Sequence, residues 1–348
     1  MSFFKKIVLL LGLICLVFGM VYVIKQPKYS IKTEGKLYVV NKASRSITVF
    51  DLQKGEEIKE LPIAIEPHEA TVVTNPNSIV VTNYGAIDAK GKSITVIDAE
   101  KNTIIKTIDL GNKNASPHGI ITLQNPNKVA VVSDDGNNLS VVNIETGKVE
   151  KQIATQQKVS HLLVKHPFKP IVYVTNISSG SVSVIDIENN KVVQIIPCGK
   201  SAEGIDVTQD GSELWVSNNK ENYVLVINTL TYKETTRLAT GKEPLRVKFS
   251  IDGKYGLVAN ASEGTISVFD TQSKKLFKTI VIPGNKNVFE KIIYRTPRPV
   301  GILMHPNGLY AFVSNLTAGR VELIDMQNFT ISSSIKVGNM PDGLAIII

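Results

Sequence analysis

Five side chains suited to metal ligation or proton transfer open five apolar stretches spread along the chain: His68, His118, His161, Glu203 and Asp342. Imidazole nitrogens and carboxylate oxygens ligate Zn²⁺ and Cu²⁺, and an imidazole that titrates near neutrality can act as a general base. Three histidines and two carboxylates converging on one axis would make a divalent-metal or catalytic centre. The same residues could instead line a polar funnel that touches a ligand, or simply complete Pro-x-Gly turns such as Pro117-His118-Gly119 and Pro341-Asp342-Gly343. No nucleophile elbow, phosphate loop or dinucleotide fingerprint accompanies them.

A second set mixes cations with aromatics. Lys286, Phe289, Lys291, Tyr294, Arg295 and Arg298 fall in one stretch, and Arg246 belongs to the same expected rim. Such a rim suits an anionic ligand, a cell-surface polymer or a protein partner, and single-stranded nucleic acid only weakly. Charge limits the last reading. The net charge is +8, but Lys5, Lys6, Lys25, Lys28 and Lys32 against Glu34 put +4 of it in residues 1–35, leaving +8 − 4 = +4 for the rest. That is an ordinary surface.

The elements that must position these residues follow from an internal repeat. An alternating apolar strand ending in Asn or Asp recurs with end points at 41, 83, 134, 176, 218, 260 and 315, spacings of 42, 51, 42, 42, 42 and 55. Each copy is followed by a second alternating strand, a third, and a Gly/Pro loop into a short apolar fourth. Four strands of about five residues per unit is a propeller blade, and seven units make a ring. The final stretch, 340–348, is expected to supply the innermost strand of the first blade and so to close that ring. His68, His118, His161, Glu203, Leu245, Val300 and Asp342 then start the seven innermost strands at the channel mouth. The two large departures from the period, 84–92 and 283–298, fall in loops at that same end, where function usually sits. His166 and His305 are expected in solvated turns at the opposite end.

Val172-Tyr173-Val174-Thr175-Asn176 resembles the YVTN-repeat family of β-propellers, within the broader quinoprotein-amine-dehydrogenase-like and lactonase-like type. The resemblance covers residues 36–348, with near-matches at 79–83 and 214–218 and in the Pro-x-Gly turns. It implies an all-β, seven-bladed propeller and says little about function, because sites are grafted onto folds. Trp215, the sole tryptophan, forms no Trp-Asp pair, which argues against a WD40 protein, and no Cys-x-x-Cys-His is present for a fused cytochrome.

Residues 7–24 run without a charge, about the length of a transmembrane helix. They are expected to act as an uncleaved signal anchor, with 1–6 cytoplasmic, 25–35 a linker and the propeller outside the cytoplasm; a secreted or periplasmic form after signal cleavage is the alternative. Cys198 is the only thiol beyond that run and is expected to be inert. The functional expectation is a binding or interaction module that works through its channel-mouth face. The competing expectation is a lactonase-like metal-dependent hydrolase or a metalloprotein that uses the His/Glu/Asp cluster.

Overall fold

The computed structural model describes residues 5, 7–14, 16, 28–74, 77–86, 89–283 and 297–348. Within each repeat, the strand that ends in Asn is a near-continuous run of β-branched, aromatic and small residues, a pattern that fits a pleated sheet buried on both faces. Accordingly Val172, Tyr173 and Val174 are all buried. Among the described residues 28 strands form, from β1 (Lys36–Asn41) to β28 (Pro341–Ile347), grouped into seven four-stranded antiparallel sheets.

The sheets stand round an axis as the blades of a propeller. Their innermost strands are β28, β4 (Pro67–Thr74), β8 (Pro117–Thr122), β12 (Ser160–Lys165), β16 (Ile205–Val207), β20 (Pro244–Phe249) and β24 (Pro299–Met304). Each touches the next in that order, and β24 returns to β28, so the ring is closed. The cores lie between blades: Tyr38, Val40 and Val49 of the first blade pack with Ile79 and Val81 of the second, and Tyr173 and Val184 of the fourth with Leu214 and Val216 of the fifth. A sheet with two apolar faces buries both only in such a ring.

Closure occurs as the repeat pattern requires. β28 pairs antiparallel with β1, matching Lys36 to Ile347 and Val39 to Leu344, and the first blade reads β28-β1-β2-β3, with β2 at Ser46–Asp51 and β3 at Glu56–Pro62. The stretch expected to be a linker is described from Lys28 and is held against the ring. The Ser30 N–H donates to Ser333 Oγ at 2.8 Å and the Ser334 N–H to the Lys28 carbonyl at 3.1 Å. The Tyr29 hydroxyl donates to the Leu52 carbonyl at 2.7 Å. Residues 28–34 therefore bind the last blade to the first across the seam.

The membrane expectation needs correction. The described helical residues fall within 5–16, a stretch of about 18 Å at ~1.5 Å per residue against a hydrocarbon core of ~30 Å. No helix among the described residues is long and apolar enough to cross a membrane, so a single-pass anchor over 7–24 and the localisation drawn from it are not supported. His166 and His305 also depart from expectation, since both are buried. His166 Nδ1 accepts the Phe168 and Lys169 N–H groups and His305 Nδ1 that of Asn307, so each closes its own turn from within.

Candidate functional site

The channel mouth is shaped by a recurring irregularity. In six of the seven innermost strands the register against the next strand slips by one residue at the start: Pro67 faces Asn83 while Ala70 faces Val81, and β8, β12, β20, β24 and β28 repeat this. A bulge re-aims a side chain and frees a backbone N–H. Here it occurs at His68, His118, His161, Leu245, Val300 and Asp342. The freed N–H is taken by the hydroxyl just before the terminal Asn of the repeat. Thr82 Oγ1 accepts from Glu69 N at 3.0 Å, and Thr175 Oγ1 from Leu162 N at 3.1 Å. Ser217 Oγ does the same for Gly204 N at 2.7 Å, beside the short strand β16.

The same hydroxyls donate onward to the next blade. Thr82 reaches the His118 carbonyl at 2.9 Å, Thr175 that of Glu203 at 2.9 Å, Ser217 that of Leu245 at 2.8 Å and Ser314 that of Asp342 at 2.6 Å. Thus the Thr of the Val-Thr-Asn motif holds the backbone of the mouth residue one blade further on. The Gly of Pro-x-Gly has a matching cause. A Cβ built on Gly119 would lie 2.8 Å from the His161 carbonyl oxygen, and one on Gly343 2.6 Å from that of His68. Only glycine lets the neighbouring blade's backbone come so near.

All five candidate residues meet at this mouth. His68, His118 and His161 stack in sequence, with ring centroids 3.8 and 3.6 Å apart. His161 Nε2 lies 3.0 Å from Glu203 Oε1, and its Nδ1 lies 3.2 Å from Asp134. His68 Nδ1 faces Asp342 Oδ2 at 3.4 Å while its Nε2 contacts Lys42 Nζ at 2.7 Å. His118, 1% exposed, has no hydrogen-bond partner at either nitrogen among the described residues, and neither do His68 Nδ1 and Asp342 Oδ1. They border an open pocket of about 380 Å³ whose remaining wall includes Leu245, Val300, Leu316 and Met340. Five polar positions thus form one arc of the mouth and two apolar positions the other.

Electrostatics divide the histidines. Burial, with Lys42 and Arg246 beside it, holds His68 well below the usual imidazole range. Burial and the two flanking rings do the same to His118. For His161 burial also opposes charge, but Glu203 and Asp134 outweigh it and raise the group to about 10. His161 is therefore an imidazolium fixed between two carboxylates, while the other two imidazoles are neutral at pH 7.

Arg246 occupies a different place from the rim expected of it. Its guanidinium crosses the channel, with Nη2 2.5 Å from Glu69 Oε1 and 3.7 Å from Asp342 Oδ1, and Nη1 3.6 Å from Glu203 Oε1. Burial works against its charge, yet Glu69, Asp342 and Glu203 keep its pKa raised. It forms a floor beneath the mouth, because it also borders a second cavity of about 340 Å³ further down the channel, walled by Ile120, Leu163, Val247 and Ile302. Arg298 stands at the mouth in a two-bonded pair with Glu243, at 2.9 and 2.5 Å. Both arginines are thus committed to carboxylates. Lys286, Phe289, Lys291, Tyr294 and Arg295 lie outside the described residues.

Several members of the site were missed in the sequence. Lys42, Tyr84 and Asp134 each directly follow the strand-ending position of a repeat. The third repeat hid this, because Ser133 pairs with Pro117 in the place that Asn83 and Asn176 take in their blades, so its strand ends at Ser133 and not at Asp134. Asp134 is thereby free to reach His161, and the Tyr84 hydroxyl donates to it at 3.2 Å.

No family model matches the chain. It is similar to Antigen Lp49 of Leptospira interrogans, at 23% identity over 245 residues that make up 64% of this chain and 51% of the other. It is similar also to the uncharacterised protein YwhL of Bacillus subtilis, at 27% identity over 164 residues, 47% of this chain and 32% of the other. The chain therefore spans about half, or less, of the length of these relatives. Among solved structures it resembles hydrazine synthase of Kuenenia stuttgartiensis, with a TM-score of 0.69 and 17% identity over 86% of this chain and 95% of that one. It resembles also the dihydro-heme d1 dehydrogenase NirN in complex with DHE, with a TM-score of 0.62 and 16% identity over 90% and 66% of the two chains. At such identities these likenesses show the propeller fold and nothing finer.

Proposed function

We propose that this propeller is a ligand-binding module whose recognition site is the channel-mouth pocket. The observation that carries the reading is the uneven mouth ring: five consecutive blades present His, His, His, Glu and Asp, two present Leu245 and Val300, and the pocket between them is about 380 Å³. That is a volume suited to a small ligand, and its wall joins the charged and polar side chains to an apolar strip of Ile177, Leu245, Val300, Leu316 and Met340. The ligand suggested has one face that ligates or hydrogen-bonds neutral imidazole and another that packs against Leu245, Leu316 and Met340. The cations at the mouth do not favour a polyanion. Lys42, His161, Arg246 and Arg298 stand against Glu69, Asp134, Glu203, Glu243 and Asp342, and each cation is already in contact with at least one of these carboxylates.

Native mass spectrometry of the full chain tests the reading, with Leu316→Trp as a variant that fills the mouth. A small-molecule adduct on the parent, lost in the variant, is expected, together with a thermal shift from the released compound. An adduct retained by the Trp variant, or no adduct and no response to a panel of small amphipathic ligands, would reject it. Turnover of a lactone that needs His118 would move the assignment to the metal-dependent hydrolase.

A further inference from the structure

His118 is costly as it stands. A buried imidazole normally has at least one nitrogen bonded, since an unmade hydrogen bond leaves the desolvation penalty uncompensated, and among the described residues neither nitrogen has a partner. Its two neighbours differ. His161 has both nitrogens against carboxylates, so it offers no lone pair. His68 has Nε2 against the Lys42 ammonium. An ammonium can only donate, so Nε2 is the acceptor and the proton of the neutral ring sits on Nδ1, facing Asp342. Lys42 Nζ also lies 3.4 Å from Asp342 Oδ2. A cation therefore already rests between an imidazole and a carboxylate at the mouth, carried on a flexible side chain that is about one-fifth exposed.

From this juxtaposition we infer a divalent transition-metal site formed by His68, His118 and Glu69, with the Lys42 ammonium as the resident cation that the metal displaces. Candidate ligand atoms of these three residues lie within 4.8 Å of one another. Two imidazoles and one carboxylate that leave positions open is a known pattern for Zn²⁺ and for Fe²⁺. The surroundings supply what such ligands need. Asp342 faces the other nitrogen of His68, and Arg246 pins one oxygen of Glu69, the kind of outer contacts that orient metal ligands. The second possible trio, His118, Asp134 and His161, would first have to give up both contacts of His161. His68 and His118 line the pocket already proposed for ligand binding, Glu69 borders the cavity beneath it and Arg246 borders both, so the site lies at the floor of that pocket and rests on that reading.

Zn²⁺ and Co²⁺ titrated into the metal-free full chain, followed by calorimetry and by cobalt absorption, provide the test. One equivalent per chain is expected. His118→Leu should weaken binding by more than about 100-fold and Glu69→Gln by about 10- to 100-fold, in the range seen when ligands or their supports are lost. Lys42→Ala should tighten it by about tenfold, about 1.4 kcal/mol, an increase that general damage to the fold would not produce. His166→Ala, on the far end, should change nothing. Failure to bind either ion, or binding unaltered by His118→Leu and Lys42→Ala, overturns the site. If metal fails while the Leu316-sensitive adduct persists, the inference alone falls; if both fail, the pocket reading falls with it.

Discussion

Replacing His118 by Leu should stabilise the metal-free protein, which is unusual for a change at a buried polar position. The side chain is 1% exposed and neither ring nitrogen has a partner among the described residues. An unsatisfied buried polar group costs about 1–3 kcal/mol. Taking the low end for each nitrogen, the change removes about 2 kcal/mol of penalty with little change in volume. Unfolding entropy scales at about 2.1 cal/mol/K per residue, or ~0.6 kcal/mol/K for a domain of roughly 300 residues, so the melting temperature should rise by about 3 °C. Calorimetry in chelator measures this. The same pair in Zn²⁺ should reverse order, because a ligand at a hundred times its Kd adds about 2.7 kcal/mol to the protein that binds it. A His118→Leu protein that melts several degrees below the parent in chelator would refute the reasoning, since the imidazole would then be supporting the fold.

Deleting residues 341–348 removes the pairing of β1 and the buried Leu344 and Ile346, each worth about 1.5–3 kcal/mol; the domain should melt far earlier, and an unchanged melt would contradict ring closure by β28. Arg246→Met leaves Glu69 and Asp342 without their cross-channel partner and should cost about 3–5 kcal/mol in denaturant unfolding. Combining it with Glu69→Gln should recover part of that, whereas simple additivity would show that the pair is not coupled. Thr175→Val removes the hydroxyl that bridges Leu162 N and the Glu203 carbonyl, an expected loss of about 1–3 kcal/mol by the same measurement; no loss would remove its bridging role. Cys198 is buried, which pushes its thiol up to about 12, so thiol reagents at neutral pH should label it only on unfolding, and rapid native labelling would disprove that.

The fold was legible because propeller blades repeat in register. Strand-ending Asn residues and Pro-x-Gly turns mark the same point of each blade, so His68, His118, His161, Glu203 and Asp342 could be placed together on the mouth. Contacts across the ring leave no such mark. Glu69 and Arg246 are 177 residues apart and belong to blades that are not neighbours, and no spacing in the sequence pairs them. Arg246 was therefore taken for a rim cation when it is the floor. Asp134 was hidden by a register detail, a Ser133 where other repeats carry Asn. The bridging role of the threonine in the Val-Thr-Asn motif left no mark in the sequence, because its second bond goes to another blade and the alternation that identifies a strand does not record what its hydroxyls reach. The N-terminal apolar run matched a membrane span in composition, while the described helix is shorter than that reading needs.

The seam between β28 and β1 also sets when the site can exist. Lys42 follows β1 and His68 opens β4, but Asp342, which faces both, arrives only with β28, after every other blade has been translated. Glu69 likewise waits for Arg246. Until β28 pairs with β1 the mouth is present only in part. A chain clipped near its last strand would be in the same condition. The mouth is therefore complete only once the ring is closed, and its geometry joins stretches that lie far apart in the chain.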